Sequence, residues 1–324
     1  MKKIIEVKAL KKTFGKGKNK VHAVQGISFD IYDQEIFGFL GPNGAGKTTS
    51  LRMIVGLLRP DAGEVTILGK NPHKKDKSLK NVLGIIPQTP TFYEDLTVEE
   101  NLWFLAKIYD IPKKLAKERI DSLISQIGLE EKRKTIIKNL SGGQKRRLNL
   151  ILALVHDPKI VLCDEPTPGL DPQSRVAVWD FIRNLPNQGK TVILTTHYME
   201  EADKLSNRVA IIDNGKILVL DTPKKLKSSI GEGDLVEIEL AGQPREKKLK
   251  PLAAKLAALE PPLPIEDITI SQNSLTIRAL DLIPKLSRIL AFIEKQNFKV
   301  GNLSLRGTTL EDVFINLTGR RLRS

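Results

Sequence analysis

The sequence predicts an α/β protein whose parallel sheet carries a glycine-rich loop between a buried strand and a helix. Three observations support this fold class. Residues 36–40, 159–163 and 191–196 are short, near-continuous apolar runs, as strands of a parallel sheet covered on both faces should be. Residues 47–57 have apolar side chains at helical spacing. The glycine-rich segment joins the first of these strands to that helix.

The glycine-rich segment has the spacing of a phosphate-binding loop, with Gly41 and Gly46 five residues apart and Lys47 and Thr48 following. Its glycines let the backbone turn N–H groups inward, and the helix presents the positive end of its dipole to an anion. Lys47 can then reach the β- and γ-phosphates of a nucleotide, and the Thr48 hydroxyl can ligate Mg²⁺. A glycine-rich turn that fits the pattern by chance is the alternative. The predicted nucleotide-binding residues of the loop are Gly41, Pro42, Asn43, Gly44, Ala45, Gly46, Lys47, Thr48 and Thr49.

Composition is that of a globular protein of about two domains. The chain has 324 residues, of which 40% are hydrophobic and 28% charged. No apolar run reaches the roughly 18 residues that a membrane-spanning helix needs. The N-terminus turns charged before a signal-peptide core could form, so we expect a cytoplasmic chain. The single cysteine, Cys163, lies in an apolar run, which predicts a buried thiol.

The formal net charge of +14 implies an acidic partner. Nucleic acid and the anionic inner face of a membrane both fit, and so does a lysine-rich surface that serves only solubility. Basic residues cluster within 11–20, 70–80, 224–227 and 320–323. None of these clusters is interleaved with aromatics as a base-stacking surface would be.

The segments around the loop predict an antiparallel sheet and an inserted helical subdomain. Residues 4–9 and 21–31 are predicted strands of the antiparallel sheet. Phe14, at the end of the first strand, can stack on an adenine ring or belong to the core. The helical subdomain covers residues 90–140, because Thr97 to Glu100 match a capping box at the start of a mostly helical stretch.

Polar residues follow the buried strands where each strand ends. Asp164 and Glu165 follow one strand, His197 follows another, and Gln88 lies in the loop after a third apolar run. Ligands bind outside the carboxyl ends of parallel strands, so we expect the first three residues to converge near Lys47. Singly, each has a structural explanation, as a capping carboxylate or a satisfied histidine. Together they predict that Asp164 holds Mg²⁺ through water, Glu165 orients or deprotonates an attacking water, and His197 hydrogen-bonds the γ-phosphate.

A second glycine turn opens a second helix. Its residues are Leu140 followed by Ser141, Gly142, Gly143 and Gln144. The backbone amides and the helix dipole make another anion site, with a serine hydroxyl added. One arrangement that uses this site is two copies packed head to tail, in which each Ser141 faces the γ-phosphate held by the other copy.

Residues 3–226 closely resemble the ATP-binding subunits of ABC transporters. The resemblance rests on the order of the phosphate loop, Gln88, the Ser141 signature, the Asp164–Glu165 pair, Asp171 and His197. It implies that Phe14 stacks on adenine, that Gln88 contacts Mg²⁺ and couples to a membrane subunit, and that Asp171 communicates between two ATP sites. Lys47, Gln88, Glu165 and His197 are the implied catalytic residues. Gln34 departs from the family pattern because it stands where a glycine is usual.

The last third of the chain predicts a second domain. Predicted strands at 235–240, 268–270, 275–277 and 298–305 alternate with predicted helices at 249–259 and 282–293. The order β-α-β-β-α-β suggests a small ferredoxin-like α+β sandwich, so the predicted domains are residues 1–226 and 227–324. Residues 310–319 resemble the tail of drug- and lipid-exporting ATPases that pair with ABC-2-type permeases, such as daunorubicin-resistance ATPase.

The leading hypothesis is an ATPase that pairs head to tail around two ATP molecules with Mg²⁺, as a homodimer or with a paralogous ATPase. It would drive export through a separate ABC-2-type permease from the cytoplasmic face of the membrane, as a peripheral protein attracted to the anionic surface. A soluble ABC ATPase acting on nucleic acid or ribosomes is an alternative, but the chain lacks a long coiled coil and a second cassette. A non-transport regulator is countered by Glu165 and His197. No specific nucleic-acid partner is therefore expected.

Overall fold

The computed structural model describes residues 2–74, 77–230, 234–242, 246–259, 265–271, 273–279 and 282–319. The described chain divides into two compact units, one up to residue 223 and one from residue 224 onward. The predicted domain boundary between residues 226 and 227 stays a proposal. The predicted basic cluster at residues 320–323 lies outside the described residues.

The first unit is built on a six-stranded sheet with buried central strands. Its strand order is β5-β6-β7-β3-β8-β9, and every neighbouring pair is parallel except β8 with β9. The three apolar runs predicted as buried strands are confirmed, since β3, β6 and β7 are buried along their whole length. The strands are β3 (Ile36–Leu40), β5 (Leu83–Ile86), β6 (Ile160–Asp164), β7 (Thr191–Thr196), β8 (Arg208–Asp213) and β9 (Lys216–Asp221).

The predicted antiparallel sheet is also confirmed, with the order β2-β1-β4. Its strands are β1 (Lys3–Phe14), β2 (Val21–Tyr32) and β4 (Ala62–Ile67). Phe29 of this sheet packs against Phe37 and Phe39 of β3, with ring centroids 5.2 Å apart in both pairs. This shared aromatic core fixes the antiparallel sheet beside the strand that leads into the phosphate loop.

Helices surround these sheets and form the inserted subdomain. The predicted capping box is confirmed, because Thr97 and Glu100 satisfy each other's backbone N–H groups. Helix α1 stops at Ile54 rather than at residue 57, since Gly56 adopts a left-handed conformation with φ +79°. The helices are α1 (Lys47–Ile54), α2 (Val98–Ile108), α3 (Lys113–Gln126), α4 (Gly142–Leu152), α5 (Pro172–Asn184) and α6 (Met199–Leu205). Helix α7 (Pro223–Ser228) starts at residue 223 and continues into the second unit.

The second unit is a four-stranded antiparallel sheet with the order β11-β12-β10-β13. Numbered within this unit, the strands lie in the order 2-3-1-4, which confirms the predicted ferredoxin-like sandwich. Leu282 is buried as predicted, but α9 begins only at Leu286, because residues 283–285 form a single 3₁₀ turn. The elements are β10 (Asp234–Leu240), α8 (Glu246–Ala257), β11 (Ile265–Ser271), β12 (Ser274–Ala279), α9 (Leu286–Lys295), β13 (Val300–Arg306) and α10 (Leu310–Thr318).

Within the described residues, none of the helices has the length and apolar character needed to cross a bilayer.

Candidate nucleotide-binding site

The phosphate loop connects the end of β3 to the start of α1. Gly46 precedes the helix with φ +100°, a conformation that a residue with a side chain rarely adopts. A Cβ at Gly41 would overlap the carbonyl oxygen of Ile212, and one at Gly46 would overlap that of Ala23. The loop therefore needs glycine at both ends in order to pack against its neighbours.

Lys47 is buried in the loop, with only 4% of its surface exposed. Its Nζ donates hydrogen bonds to the carbonyl oxygens of Gly41 (2.8 Å) and Pro42 (3.1 Å). Burial lowers the pKa of Lys47, and the charges of Glu165 and Asp164 oppose that effect. The ammonium group is thus held inside the loop, where a bound phosphate is predicted to lie.

Thr48, Asp164 and Thr195 form a cluster of oxygen atoms beside Lys47. The Thr48 hydroxyl donates to Oδ1 of Asp164 at 3.0 Å, and the Thr195 hydroxyl donates to the same oxygen at 2.5 Å. A carboxylate with a neighbouring hydroxyl is the kind of oxygen ligand set that Mg²⁺ prefers. The predicted metal pair Thr48 and Asp164 therefore suits a Mg²⁺ ion.

Glu165 is the centre of the predicted catalytic group. Its Oε1 lies 3.3 Å from Nζ of Lys47 and 3.3 Å from Nδ1 of His197. Its Oε2 accepts a hydrogen bond from Nε2 of Gln88 at 3.2 Å. The structure therefore brings all four predicted catalytic residues together. Gln88 contacts Glu165 through its amide nitrogen, and its role as a magnesium ligand stays a prediction.

A cavity of about 550 Å³ opens above the phosphate loop. Phe14 is not among its lining residues and is 43% exposed at the end of β1, but Val21, its partner across the strands, lines the cavity. Adenine stacking by Phe14 stays a prediction. Five lining residues are absent from the predicted site: Val21, His22, Ala23, Gln25 and Asn214. Asn214 lies in an Asn-Gly turn that the sequence displays, but its approach to the loop depends on the tertiary fold.

The second glycine turn lines a different cavity, of about 530 Å³. Ser141 caps α4 and shares a capping box with Gln144, whose side chain accepts from the backbone N–H of Ser141 at 2.9 Å. Asp171 caps α5 by accepting a hydrogen bond from the backbone N–H of Ser174 at 2.9 Å, and hydrogen bonds from Ser174 lower the pKa of Asp171. The predicted residues that line this cavity are Gln88, Ser141, Gly142, Gly143 and Asp171. Within one chain, Lys47 and Ser141 thus lie in separate cavities.

The fold, the phosphate loop and the second glycine turn define a nucleotide-binding cassette. The profile of the ABC transporter family matches residues 24–168. The linearmycin resistance ATP-binding protein of Bacillus subtilis (strain 168) is 36% identical over 322 residues, covering 99% of this chain and 100% of that protein. The daunorubicin/doxorubicin resistance ATP-binding protein of Streptomyces peucetius is 35% identical over 320 residues, covering 97% and 92%.

A solved structure shares the fold of 68% of this chain. The dimeric structure of a post-hydrolysis state of an ATP-binding cassette bound to ADP and Pi matches with a TM-score of 0.61 and 26% identity, covering 68% of this chain and 98% of that chain. The chain belongs to the ABC transporter family, as an ATP-binding protein that hydrolyses ATP to power transport. The predicted family and activity are thereby confirmed. Membership implies a dimeric cassette and a membrane permease as partner.

Proposed function

We propose that this chain powers export through an ABC-2-type permease, with hydrolysis centred on Glu165. The observation that carries the catalytic part is the contact of Lys47, Gln88 and His197 with the Glu165 carboxylate, each within 3.3 Å. The export assignment is supported by relatives named for resistance to linearmycin and to daunorubicin or doxorubicin, and for Nod factor export. Their similarity extends over the second unit as well as the first.

In the proposed mechanism, the residues act on the attacking water, on the phosphates or on Mg²⁺. Glu165 orients the water and accepts its proton. Lys47 binds the β- and γ-phosphates, and His197 donates a hydrogen bond to the γ-phosphate. Thr48 and Asp164 would hold Mg²⁺, which supplies charge neutralisation to the phosphates when it is bound. Gln88 completes the set by donating a hydrogen bond to Glu165.

We also propose that the complete site needs two chains, as a homodimer or with a paralogous ATPase. Ser141 and Asp171 line a cavity that is separate from the phosphate-loop cavity of their own chain. Head-to-tail pairing would bring Ser141 and the backbone amides of Gly142 and Gly143 to the nucleotide of the other copy. Gln144 would support this arrangement by holding the Ser141 backbone.

An apolar groove of about 800 Å³ in the first unit is the proposed docking site of the permease. Leu57 and Ile108 line the groove and are 67% and 57% exposed, so both apolar side chains are open to a partner in one concave surface. Lys74 and Lys80 also line the groove. Apolar walls with nearby lysines suit an amphipathic segment that carries acidic residues.

The net charge of +14 supports a further part of the proposal, a peripheral position at the cytoplasmic face of the membrane. Lysines and arginines near an anionic bilayer each contribute about 1 kcal/mol of attraction at low salt. No specific nucleic-acid partner is proposed. We also propose that Phe14 stacks on the adenine of the nucleotide and that residues 41–49 contact its phosphates.

Co-expression with an ABC-2-type permease tests the proposed function. We expect the chain to fractionate with membranes in a salt-resistant form when the permease is present, and Ile108→Asp to release it. Leu218→Asp is the matched control, because Leu218 is an exposed apolar residue outside the groove. Sedimentation with ribosomes, whether or not the permease is present, would overturn the export assignment in favour of a soluble ATPase.

A further inference from the structure

Arg146 is a buried arginine on α4 that contacts the backbone of two predicted catalytic residues, Gln88 and Glu165. It lies five residues after Ser141 and is 6% exposed. Its Nη1 donates to the carbonyl oxygens of Pro87 (3.1 Å) and Gln88 (3.0 Å). Its Nη2 donates to the carbonyl oxygen of Glu165 (2.6 Å), and its Nε donates to that of Pro166.

The partners of this guanidinium are backbone carbonyls rather than carboxylates. Burial lowers the pKa of Arg146, and the nearby Cys163, Glu201 and Asp164 oppose that effect. A guanidinium keeps its charge in proteins, so its desolvation must be offset by well-placed acceptors. The planar fork of arginine suits this task, since it reaches two separate segments at once, the loop after β5 and the residues after β6.

The contact with Glu165 holds a residue whose backbone is strained. Glu165 has φ +46°, in the left-handed region that residues with side chains rarely adopt. Its N–H donates to the carbonyl oxygen of Thr195 at 3.1 Å, and its own carbonyl oxygen accepts from Arg146. The peptide units on either side of Glu165 are thus fixed from two directions, and its carboxylate is directed toward Lys47.

A second side chain of the same helix reaches the same loop. Asn149 lies one turn beyond Arg146, donates to the carbonyl oxygen of Pro87 at 3.3 Å, and lines the apolar groove. Ser141 is therefore the N-cap of helix α4, Arg146 in its middle contacts the backbone of Gln88 and Glu165, and Asn149 lines the groove. A small shift of this helix would move all three together.

We infer that Arg146 is a positioning residue that transmits the engagement of Ser141 to Gln88 and Glu165 of the same chain. The inference rests on the proposed function, in which Ser141 meets the nucleotide of a second copy. When α4 is drawn toward that nucleotide, Arg146 carries the carbonyls of Gln88 and Glu165 with it. Hydrolysis in one site is thereby made dependent on closure of the other.

Arg146→Lys tests this role, because lysine keeps the charge but cannot reach both segments. Arg147→Lys is the matched control, since Arg147 is the next residue on the helix and donates to the carbonyl oxygen of Ile127 instead. We expect Arg146→Lys to lower kcat about tenfold or more while the Kd for ATP changes by less than about threefold. In Arg147→Lys, kcat and the Kd for ATP should both stay within about twofold of the wild-type values. A normal kcat in Arg146→Lys would overturn the inference.

A double-mutant cycle with Ser141→Ala separates transmission from a merely structural role. Ser141→Ala lowers kcat by some factor in the wild-type background. If Arg146 carries the signal, that factor should be at least about fivefold smaller in the Arg146→Lys background. Effects of the two substitutions that multiply independently would overturn the inference. If Arg146→Lys fails to fold, Arg146→Gln replaces it in the same cycle, because the single amide of glutamine cannot donate to both segments; the expected and contrary outcomes are the same.

Failure of the proposed function would look different from failure of this inference. Absence of ATP hydrolysis in both the wild type and Arg147→Lys would reject the proposed catalytic site. A fully active wild type in which Arg146→Lys matches Arg147→Lys would leave the catalytic site in place and reject only the positioning role of Arg146.

Discussion

The hydroxyl of Thr48 donates a hydrogen bond to the carboxylate of Asp164 at 3.0 Å, although the two residues are 116 positions apart in the chain. Thr48 lies in the first turn of α1 and Asp164 at the end of β6. Both β3, which leads into α1, and β6 are paired in parallel with β7, so their carboxyl ends meet at one edge of the sheet. This edge is where the phosphate loop and the proposed magnesium ligands coincide.

Replacement of Thr48 by valine should weaken the response to Mg²⁺. The variant keeps the size of the side chain but removes the hydroxyl that contacts Asp164. We expect the Mg²⁺ concentration for half-maximal ATP hydrolysis to rise at least about tenfold. A titration of the ATPase rate with MgCl₂ at fixed ATP measures the effect.

Thr191→Val is the control for this substitution. Thr191 is a buried threonine at the opposite end of β7, where its hydroxyl accepts from the backbone N–H of Gln34 at 2.8 Å. Its Mg²⁺ titration should match that of the wild type. An unchanged titration in Thr48→Val would show that the hydroxyl is not a magnesium ligand.

Substitution of Glu165 by glutamine should separate ATP binding from ATP hydrolysis. The amide cannot accept a proton from water, so turnover should fall about a hundredfold or more if Glu165 is the general base. Lys47 also loses its ion pair with the carboxylate, so ATP should bind at least as tightly as before. Nucleotide binding and steady-state hydrolysis measured on the same preparation check both expectations.

Glu200→Gln is the matched control for Glu165→Gln. Glu200 lies close in sequence to His197 but is exposed and paired with Lys204 at 2.6 Å. Turnover should remain within about twofold of wild type. If Glu165→Gln also turns over at the wild-type rate, a different group must activate the water.

The convergence of the site could be predicted from the sequence because it depends on two rules. Buried parallel strands are near-continuous apolar runs, and their carboxyl ends meet at one edge. Asp164, Glu165 and His197 each follow such a run, so their approach to Lys47 did not require knowledge of the packing. The glycine positions of the phosphate loop could also be predicted from the sequence, because their spacing reflects the local path of the backbone.

The parts that escaped prediction depend on approaches between distant segments. Arg146 was visible only as a basic residue after the signature, and nothing local indicates that it reaches Gln88 and Glu165. Gly56, which ends α1, adopts positive φ where its backbone packs closely against that of Pro72. Sequence periodicity reports on local structure, whereas these contacts are set by how separate elements pack.

Gln34 should be a site where glycine stabilises the protein. Its φ of +60° lies in the left-handed region, which costs a residue with a Cβ about 1 kcal/mol. Glycine adopts this conformation freely and keeps the hydrogen bond from the backbone N–H to Thr191, because that bond involves no side-chain atom of residue 34. We expect Gln34→Gly to raise the free energy of unfolding by roughly 0.5–1 kcal/mol, as measured by urea titration.

Lys20→Gly gives the opposite expectation and serves as the control. Lys20 is exposed and has φ −71°, a conformation that any residue adopts. Glycine there only adds freedom to the unfolded chain and should lower stability by about 0.5–1 kcal/mol. If both glycines destabilise the protein, the strain at Gln34 is not relieved by removal of the side chain.

Replacement of Asp312 by asparagine should destabilise α10 in a pH-dependent manner. Burial alone would raise the pKa of Asp312, but hydrogen bonds from Arg306 and Thr309 outweigh it and lower the pKa to about 2. The folded pKa lies below the reference value of 3.8, so the stabilisation is present above pH 3.8 and is lost as the pH falls toward 2. At pH 7 we expect Asp312→Asn to lower the free energy of unfolding by about 1–2 kcal/mol. This value is smaller than the pKa shift alone would give, because Arg306 is partly exposed and solvent screens the ion pair.

Hydrogen exchange of residues 310–318 in the full chain measures the stability of this helix at each pH. The difference between wild type and Asp312→Asn should shrink to about half near pH 3, because the unfolded carboxylate is then largely protonated. Glu311→Gln removes a neighbouring carboxylate in the same first turn and should have an effect of less than about 0.5 kcal/mol. A stability difference between wild type and Asp312→Asn that stays constant from pH 7 to pH 3 would contradict this expectation. It would show that Asp312 stabilises the helix through its shape and its hydrogen bonds in the capping box, and not through its charge.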